Sequence, residues 1–261
     1  MLDRLRNLLY AMGVPNKGRR LLWIDGVNSA VMGKMELARD PEAQPMHCDL
    51  GDSVHPDSHR FIDDLEQWYG KPIIRIRSEE YANIDEVFES IKYLAGTKGA
   101  RCTGAMKFVP RLNYQVPSDI HYWGYTADSL DAARFANMCK NYPELRQSAP
   151  LIVNGLRKAD THRIIEEAGI RKPYVYLIGY PNGNCLGCVK ASSPNYWSMT
   201  RKYFPNVFER RADQSRRFGA RLTRIRGERV FIDEIPADWP TTMRGQSVPT
   251  CGFVCEQEAA P

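Results

Sequence analysis

The chain has 261 residues, of which 43% are hydrophobic and 26% are charged, and its formal net charge is +5 at pH 7. This length and composition are sufficient for one large domain with its own hydrophobic core. No stretch approaches the roughly 18 apolar residues of a membrane-spanning helix, and the N-terminal stretch lacks the apolar run of a secretory signal. The sequence therefore predicts neither a membrane protein nor a secreted one.

The first predicted element is a short amphipathic helix within residues 1–19, with leucines at helical spacing. An apolar run, Leu21–Ile24, then predicts a buried strand, and the polar turn Asp25–Ser29 precedes a helix over Ala30–Ala38. A strand, a glycine-containing turn and a helix in this order are typical of sites that bind phosphate at a helix N-terminus.

Strands and helices continue to alternate in the next part of the chain. Residues 45–53 predict a second strand with a polar end, and residues 71–78, where Ile alternates with Arg, predict a third. Helices are predicted over residues 56–70, which begin with a proline and end at a glycine, and over residues 83–96. This alternation favours an α/β domain with a doubly wound parallel sheet.

The pattern is less regular after residue 96. Residues 97–117 are basic and predict an irregular segment, whereas residues 119–127 and 128–142 predict a strand and a helix. Residues 150–155 predict a short extended piece, and residues 158–170 predict another helix.

The C-terminal part is organised around a cysteine loop. This loop lies between residues 172–181 and a long helical stretch over residues 196–220, and a last strand is predicted over residues 229–235. The predicted organisation has three parts with a soft second boundary: an N-terminal helix (1–19), a nucleotide-binding α/β domain (20–150) and a cysteine-rich C-terminal region with a basic helix (151–261).

The chain has seven cysteines, an odd number, and it has no export signal. Both features favour the reducing cytoplasm and argue against a disulfide framework. Cys48 and Cys139 lie in strand-like and helix-like contexts, where we expect buried hydrophobic residues. The other five cysteines are candidate metal ligands: Cys102, Cys185, Cys188, Cys251 and Cys255.

Cys185 and Cys188 have the C-x-x-C spacing that lets two thiolates bind one ion, and Cys251 and Cys255 form a C-x-x-x-C pair. Cys102 stands alone in the basic segment. Thiolates select zinc or an iron–sulfur centre, and four ligands complete such a site. Spacing alone does not separate structural zinc from a cluster, and a redox-active pair or simple packing of the thiols are further alternatives.

Two other groups could bind anions. Gly26 allows a tight turn and Ser29 can cap the next helix, so the backbone N–H groups there could hold a phosphate, although such turns are common. Lys107 and Arg111 follow Cys102 and could hold an anionic substrate beside it, or they could belong to a basic surface loop.

Positive charge is concentrated in Arg201–Arg229, which contains ten Lys and Arg residues against three Asp and Glu residues, a net charge of +7. The rest of the chain therefore carries a net negative charge. This segment predicts either a surface for nucleic acid or another polyanion, or the solvated outer face of a helix.

Taken in order, these pieces resemble the phosphoadenosine phosphosulfate reductase-like branch of the adenine nucleotide α-hydrolase superfamily. More narrowly, they resemble its phage- and bacteria-encoded members with a cysteine-rich C-terminal part. The resemblance runs from about Arg20 to Cys255, and the cysteine stretches are its most specific part. The matching stretches are WIDGVNSAV, DLGDSVHPDSHRFIDDLEQWYG, RCTGAMKFVP, YWGYTADSLDAAR, LIGYPNGNCLGCVKA with the following YW, RVFIDEIP and CGFVC.

The resemblance implies a five-stranded parallel sheet with helices on both faces. It implies ATP or a related adenylyl nucleotide, with Mg²⁺, at the carboxyl ends of the strands. The implied activity is sulfur chemistry, either thiolation of a nucleic-acid component or reduction of a sulfonucleotide. Several relatives hold a [4Fe–4S] cluster, which assigns as ligands Cys102, Cys185, Cys188 and one or both of Cys251 and Cys255.

The resemblance also assigns Gly26, Asn28 and Ser29 to the phosphate loop, and Lys107 to the substrate anion. The family's usual loop reads Ser-Gly-Gly-x-Asp-Ser, but here Asp25 replaces the first glycine and Asn28 replaces the acidic residue. Asp25 would repel phosphates, and Asn28 removes a charge that could bind Mg²⁺. Two functions remain open: a sulfurtransferase or oxidoreductase, or a non-catalytic nucleotide- or nucleic-acid-binding protein with a structural metal site.

Overall fold

The computed structural model describes residues 18–96 and 99–244. Five short strands form one all-parallel sheet in the order β3-β2-β1-β4-β5. The strands are β1 (Arg20–Trp23), β2 (Gln44–Cys48), β3 (Ile74–Ile76), β4 (Ile120–Tyr122) and β5 (Arg146–Ser148). The strand order reverses between β1 and β4, so the carboxyl ends of these two strands flank the point where α/β sheets bind ligands.

Helices connect the strands and continue beyond them. They are α1 (Val27–Arg39), α2 (Pro56–Tyr69), α3 (Ile84–Ile91), α4 (Arg101–Thr103), α5 (Val109–Tyr114), α6 (Ser129–Asn141), α7 (Pro150–Val153), α8 (Lys158–Glu167), α9 (Tyr174–Leu177), α10 (Pro194–Tyr203) and α11 (Pro205–Arg217). A π-helical stretch, Gly104–Phe108, joins α4 to α5, and an antiparallel hairpin of β6 (Thr223–Ile225) and β7 (Glu228–Val230) follows α11. Two 3-10 turns are Gly51–Ser53 and Ile232–Glu234.

The central strand β1 shows why helices cover both faces of the sheet. Its side chains alternate, so Leu22 packs with α1, α2 and α8 on one face, while Leu21 and Trp23 pack with residues of α6 on the other. The prediction of an α/β fold with a parallel sheet between helices is confirmed. The first of these layers includes Ile165 of α8, so the boundary predicted at residue 150 falls inside it.

A third hydrophobic cluster lies in the C-terminal region, where α3, the cysteine loop, α10 and α11 pack together. Its largest fully buried side chains include Trp197 and Tyr196. The tail beyond residue 244 and residues 1–17, which hold nearly all of the predicted N-terminal helix, lie outside the described residues.

Several local predictions were wrong. Residues 101–114 are helical rather than irregular, because Met106, Lys107 and Arg111 pack inward and tertiary contacts override the low helix propensity of Gly104 and Pro110. The extended piece predicted at residues 150–155 is α7, whose first residue is a proline, as helix starts favour.

The long helix predicted over residues 196–220 is two helices, which meet at Phe204, where the backbone is not helical. The strand predicted over residues 229–235 ends at Val230 and is followed by a 3-10 turn. Strand β5 was missed, since its sequence is Arg-Gln-Ser and carries no apolar signal.

His121 of β4 is a buried titratable group in the sheet. Its ring stacks on Trp23 and Trp123, with centroids 6.0 Å and 5.7 Å away, and its Nδ1 accepts the Trp23 indole N–H at 3.0 Å. Burial, and then the charge on Arg111, lower the pKa of His121 to about 4. The ring is therefore neutral at pH 7.

This lowered pKa predicts acid destabilisation. The unfolded His121 binds a proton below about pH 6.5 but the folded one only near pH 4, so the unfolded state binds more protons as pH falls between these values. We expect the free energy of unfolding to drop by about 2 kcal/mol between pH 7 and about pH 5 from this residue alone.

Urea unfolding at both pH values measures this drop. The matched variant is His121→Gln, which keeps an acceptor for the Trp23 indole but does not titrate. If the variant loses as much stability on acidification as the parent chain, His121 is not the responsible group.

Candidate functional site

The loop between β1 and α1 is the predicted phosphate loop. The Ser29 hydroxyl oxygen accepts hydrogen bonds from the N–H groups of Asp25 (2.8 Å) and Gly26 (3.0 Å), and it donates to the Gly26 carbonyl (2.9 Å). Two N–H groups that could otherwise meet a phosphate are therefore bound within the loop.

The hydroxyl of Tyr176, on α9, covers the N-terminus of α1. It accepts the Gly183 N–H at 3.1 Å and also a hydrogen bond from the backbone of Val27. A Cβ atom on Gly26 would lie 2.9 Å from this hydroxyl, so the close approach requires glycine there. Burial raises the pKa of Tyr176 to about 12, so a neutral oxygen stands where the helix N-terminus would attract an anion.

Asp25 and Lys107 form an ion pair at this loop. The Lys107 ammonium, on the π-helical stretch, lies 2.5 Å from Asp25 Oδ2, and its side chain is only 4% exposed. The carboxylate that the sequence predicts to repel phosphates is thus paired with the lysine that the resemblance assigns to the substrate anion. Each charge offsets the other in this conformation.

Asn28 and Gly124 tie the loop to the elements around it. The Asn28 side-chain carbonyl accepts the Thr161 hydroxyl of α8 at 2.7 Å, so this side chain joins α1 to α8. Gly124 follows β4, and a Cβ atom there would lie 2.6 Å from Ser29 Cα. The loop after β4 therefore packs directly on the start of α1, at the point where the strand order reverses.

A small cavity opens at the carboxyl ends of β1 and β2. Its lining is formed by Asp25, His47, Cys48, Leu50, Val54, Ser58, His59, Ile62 and Gly183. Burial lowers the pKa of His47, whose Nδ1–H donates to the Ile24 carbonyl at 2.9 Å, and His59 Nε2–H donates to the Gly51 carbonyl at 3.0 Å. In its neutral form the His47 ring keeps a second nitrogen that can accept a proton or a hydrogen bond.

Arg111 lies one turn beyond Lys107, on α5, and is not among the residues that line this cavity. It is 1% exposed, its Nη1 donates to Gln115 Oε1 at 2.6 Å, and its guanidinium lies 4.9 Å from the Phe108 ring centroid. Its Nε is buried and has no hydrogen-bond partner among the described residues. Burial lowers the pKa of Arg111 to about 10, which leaves it charged at pH 7.

The C-x-x-C loop is fixed by contacts on both sides. Gly187 adopts the left-handed conformation (φ 63°), and a Cβ atom there would lie 2.8 Å from a Val207 methyl group of α11. The Tyr196 hydroxyl accepts the Cys188 N–H at 2.7 Å and donates to the Cys185 carbonyl at 3.3 Å. These contacts hold the loop backbone in one shape.

The same loop reaches the carboxyl end of β2. The N–H of Leu186, between the two cysteines, donates to the Ser53 carbonyl at 2.8 Å, in the 3-10 turn that follows β2. Gly183, two residues before Cys185, lines the cavity together with Asp25. Sequence reasoning missed Tyr176, His47 and Gly124, whose roles depend on contacts with distant parts of the chain.

Three of the candidate metal ligands share one environment. Cys188 is buried in the C-terminal hydrophobic cluster, and Cys102 and Cys185 pack against that cluster. Cys251 and Cys255 lie outside the described residues. Within residues 18–96 and 99–244, no group of three or more His, Cys, Asp or Glu side chains is arranged to hold a metal ion.

Cys48 and Cys139, which were both expected to be buried, differ in how far they are buried. Cys48 is fully buried at the end of β2, whereas Cys139 of α6 is only partly buried. Burial raises the pKa of the Cys139 thiol, so it stays protonated at pH 7.

The basic segment Arg201–Arg229 is divided between α10, α11 and the β6–β7 hairpin. Arginines of α11 are paired with carboxylates, including Arg211 with Asp85 (2.7 Å) and Arg217 with Glu89 (2.5 Å). Asp85 and Glu89 of α3 therefore offset part of the positive charge on α11, and Asp233 and Glu234 pair with Arg216.

No model of a known protein family matches the chain, and no curated protein sequence matches it. Of the helices in the described ranges, none has the length and apolar content that crossing a bilayer requires. The function is therefore inferred from the residues and their contacts.

Proposed function

We propose that the chain is a phosphoadenosine phosphosulfate reductase-like protein of the adenine nucleotide α-hydrolase superfamily. It binds ATP or a related adenylyl nucleotide with Mg²⁺ at the carboxyl ends of β1, β2 and β4. It uses the nucleotide in sulfur chemistry, as a sulfurtransferase acting on a nucleic-acid component or as a reductase of a sulfonucleotide. A centre held by cysteines lies beside the nucleotide.

One observation supports this proposal most directly: the cysteine loop and the predicted phosphate loop border the same cavity. Gly183 and Asp25 both line it, and the Leu186–Ser53 hydrogen bond holds the C-x-x-C loop at the end of β2. Sulfur transfer to an activated substrate needs the sulfur centre and the nucleotide side by side, because the reacting atoms must come within about 3.5 Å.

The donor set fits a thiolate-bound [4Fe–4S] cluster or zinc. Cys102, Cys185 and Cys188 share one hydrophobic cluster, and Cys251 or Cys255 would complete four ligands. When bound, a cluster would supply an iron site that carries sulfur or electrons. The Tyr196 hydroxyl and the left-handed Gly187 orient the ligand loop whichever metal is present.

The protein's own groups suggest how a nucleotide would be held. Lys107 supplies a buried positive charge at the loop, and Gly26 brings the backbone close to any phosphate there. His47 and His59 place their rings on the cavity wall. Because burial lowers the pKa of His47, its ring keeps a neutral nitrogen that can take a proton. A phosphate can bind the Lys107 ammonium only if the Asp25–Lys107 ion pair opens, because the Asp25 carboxylate now lies where the phosphate would bind.

A second candidate function is favoured by the closed state of the phosphate loop. Ser29, Tyr176 and Asp25 together occupy the groups that would bind phosphate. A non-catalytic nucleotide- or nucleic-acid-binding protein, with a structural metal site, would need no nucleotide cleavage and would tolerate this arrangement.

Metal analysis tests the cysteine-held centre. Cys185→Ser is expected to lower both the metal content and the thermal unfolding midpoint, because metal binding and folding are linked. Iron, sulfide and zinc are measured in protein purified without oxygen. The matched control is Cys139→Ser, on α6, which should leave the metal content unchanged.

The outcomes of this test are distinct. Iron with sulfide supports the cluster, and one zinc without sulfide rejects it in favour of the structural site. Unchanged metal content in Cys185→Ser would show that the ligand assignment is wrong.

Nucleotide turnover separates the two candidate functions. Pyrophosphate or phosphate release from ATP and Mg²⁺, measured with and without added nucleic acid, supports the enzyme. Nucleotide binding without release supports the non-catalytic protein, and the absence of both binding and release would reject a nucleotide site altogether.

A further inference from the structure

The β6–β7 hairpin carries a group of exposed arginines that differ from those of α11. The arginines on and beside the hairpin are Arg221, Arg224, Arg226 and Arg229, and all four are exposed. In the part of the chain that the structure describes, none of them forms an ion pair with a carboxylate. Two donate only to backbone carbonyls, Arg224 to Gly227 at 3.3 Å and Arg229 to Arg221 at 3.1 Å.

Two of these arginines are placed directly opposite each other. Arg224 and Arg229 are cross-strand partners in the antiparallel register, so their side chains project from the same face of the hairpin. Like charges at directly opposed positions destabilise a sheet. Among the described residues neither arginine of this pair forms an ion pair with a carboxylate, which is the arrangement expected where an anion binds between them.

Arg226, in the turn, adds a third positive charge at a position where the backbone conformation is unfavourable for most side chains. Arg226 and Gly227 both have positive φ, 51° and 90°, as a two-residue hairpin turn of the I′ type requires. Asn, Asp and Gly are the residues that favour the first position of such a turn. An arginine there indicates that its side chain serves a purpose other than forming the turn.

The opposite face of the hairpin packs against the protein and holds the hairpin in place. Thr223 is buried and its hydroxyl donates to the Ser192 carbonyl at 2.9 Å, four residues after Cys188. Ile225 packs against the C-terminal hydrophobic cluster, which also contains the cysteine loop. The face that carries Arg224 and Arg229, called the arginine face, is therefore exposed to solvent. The hairpin itself is packed against the region that holds the cysteine loop.

We propose that the arginine face of the β6–β7 hairpin binds the phosphate backbone of a nucleic acid. Several guanidinium groups on one short ribbon match a repeating line of phosphates, which each accept paired N–H donors. This inference rests on the proposed function, because it selects a nucleic-acid component over a free sulfonucleotide as the substrate. The sequence predicted a nucleic-acid surface over the whole of Arg201–Arg229, and this inference confines that surface to the hairpin.

Binding of a fluorescein-labelled single-stranded RNA, measured by anisotropy over a series of salt concentrations without ATP, tests this inference. The double variant Arg224→Gln/Arg226→Gln is expected to weaken binding roughly tenfold. The slope of log K against log salt should become shallower by about 1.4, since each lost phosphate contact accounts for about 0.7.

The matched control removes the same charge from α11. Arg210→Gln/Arg217→Gln lowers the net charge equally, but both side chains are paired with carboxylates, and it should leave RNA binding within about twofold of the parent chain. The unfolding midpoint of the hairpin variant should stay the same or rise, because the opposed charges are gone.

Three results would overturn the inference: no RNA binding by the parent chain, equal losses in both double variants, or stronger binding to anionic lipid vesicles than to RNA. The assay contains no ATP, so its failure leaves the nucleotide proposal untouched. Conversely, a chain that binds RNA through the hairpin but neither binds nor cleaves ATP would retain this inference and lose the proposed function.

Discussion

Replacing Arg211 with methionine is expected to lower the free energy of unfolding by about 3 kcal/mol. The Arg211 side chain is 1% exposed, and its Nη1 lies 2.7 Å from Asp85 Oδ1 on α3. Its Nε donates to the Gly187 carbonyl at 3.1 Å, inside the C-x-x-C loop, and its guanidinium lies 4.6 Å from the Phe88 ring centroid. Methionine fills a similar volume but leaves the carbonyl and the carboxylate without this donor.

Urea unfolding at pH 7 measures this effect. The control is Arg210→Met, because Arg210 pairs with the same Asp85 carboxylate at 2.9 Å but is half exposed, and its loss should cost less than about 1 kcal/mol. Arg211→Met should also speed the reaction of Cys185 and Cys188 with a thiol reagent, since the loop loses an anchor. Equal losses in both variants would mean that burial of Arg211 contributes nothing.

Replacing Asp25 with asparagine is expected to have opposite effects without and with nucleotide. Without a ligand, the buried Lys107 ammonium loses a carboxylate at 2.5 Å, and the free energy of unfolding should fall by about 2 kcal/mol. With ATP and Mg²⁺, the phosphates can take the place of the carboxylate, so the affinity for ATP should rise by about tenfold. Stability should then recover as ATP is added.

Titration calorimetry with ATP and urea unfolding with and without ATP measure both effects. Asp52→Asn is the matched control, because Asp52 is an exposed carboxylate in the 3-10 turn after β2. A variant that is as stable as the parent chain and gains no ATP affinity would show that Asp25 does not block a nucleotide site. That outcome would weaken both nucleotide-binding proposals.

The α/β class was predictable because its signals are local. The continuous apolar run Leu21–Ile24 and the apolar face of the helix at residues 56–70 are patterns within single elements. The prediction of an irregular segment was wrong at residues 101–114, because Gly104 and Pro110 weaken the helical pattern there and packing of Phe108 and Tyr114 against the sheet compensates. Strand β5 carries no pattern of its own and exists because it pairs with β4.

The candidate site was predictable only as a set of residues. The sequence singled out Gly26, Ser29, Lys107 and the C-x-x-C pair, and the structure brings the first three to one loop and the cysteine loop to the same cavity. What each residue contacts was not predictable. The Lys107–Asp25 pair joins residues 82 positions apart, and the positions of their side chains depend on how the sheet is assembled.

By itself, the sequence determined the class of fold, the two cysteine pairs of the C-terminal region and the excess of positive charge near its end. The tertiary structure decided which of those charges are available: Asp85, 126 residues before its partner, neutralises Arg211, while the hairpin arginines keep their charge facing solvent. It also decided that the Tyr176 and Ser29 hydroxyls bind the backbone N–H groups of Gly183, Asp25 and Gly26 at the predicted phosphate loop. Composition and periodicity record what each segment can form alone, whereas pairing between distant segments depends on strand order and packing.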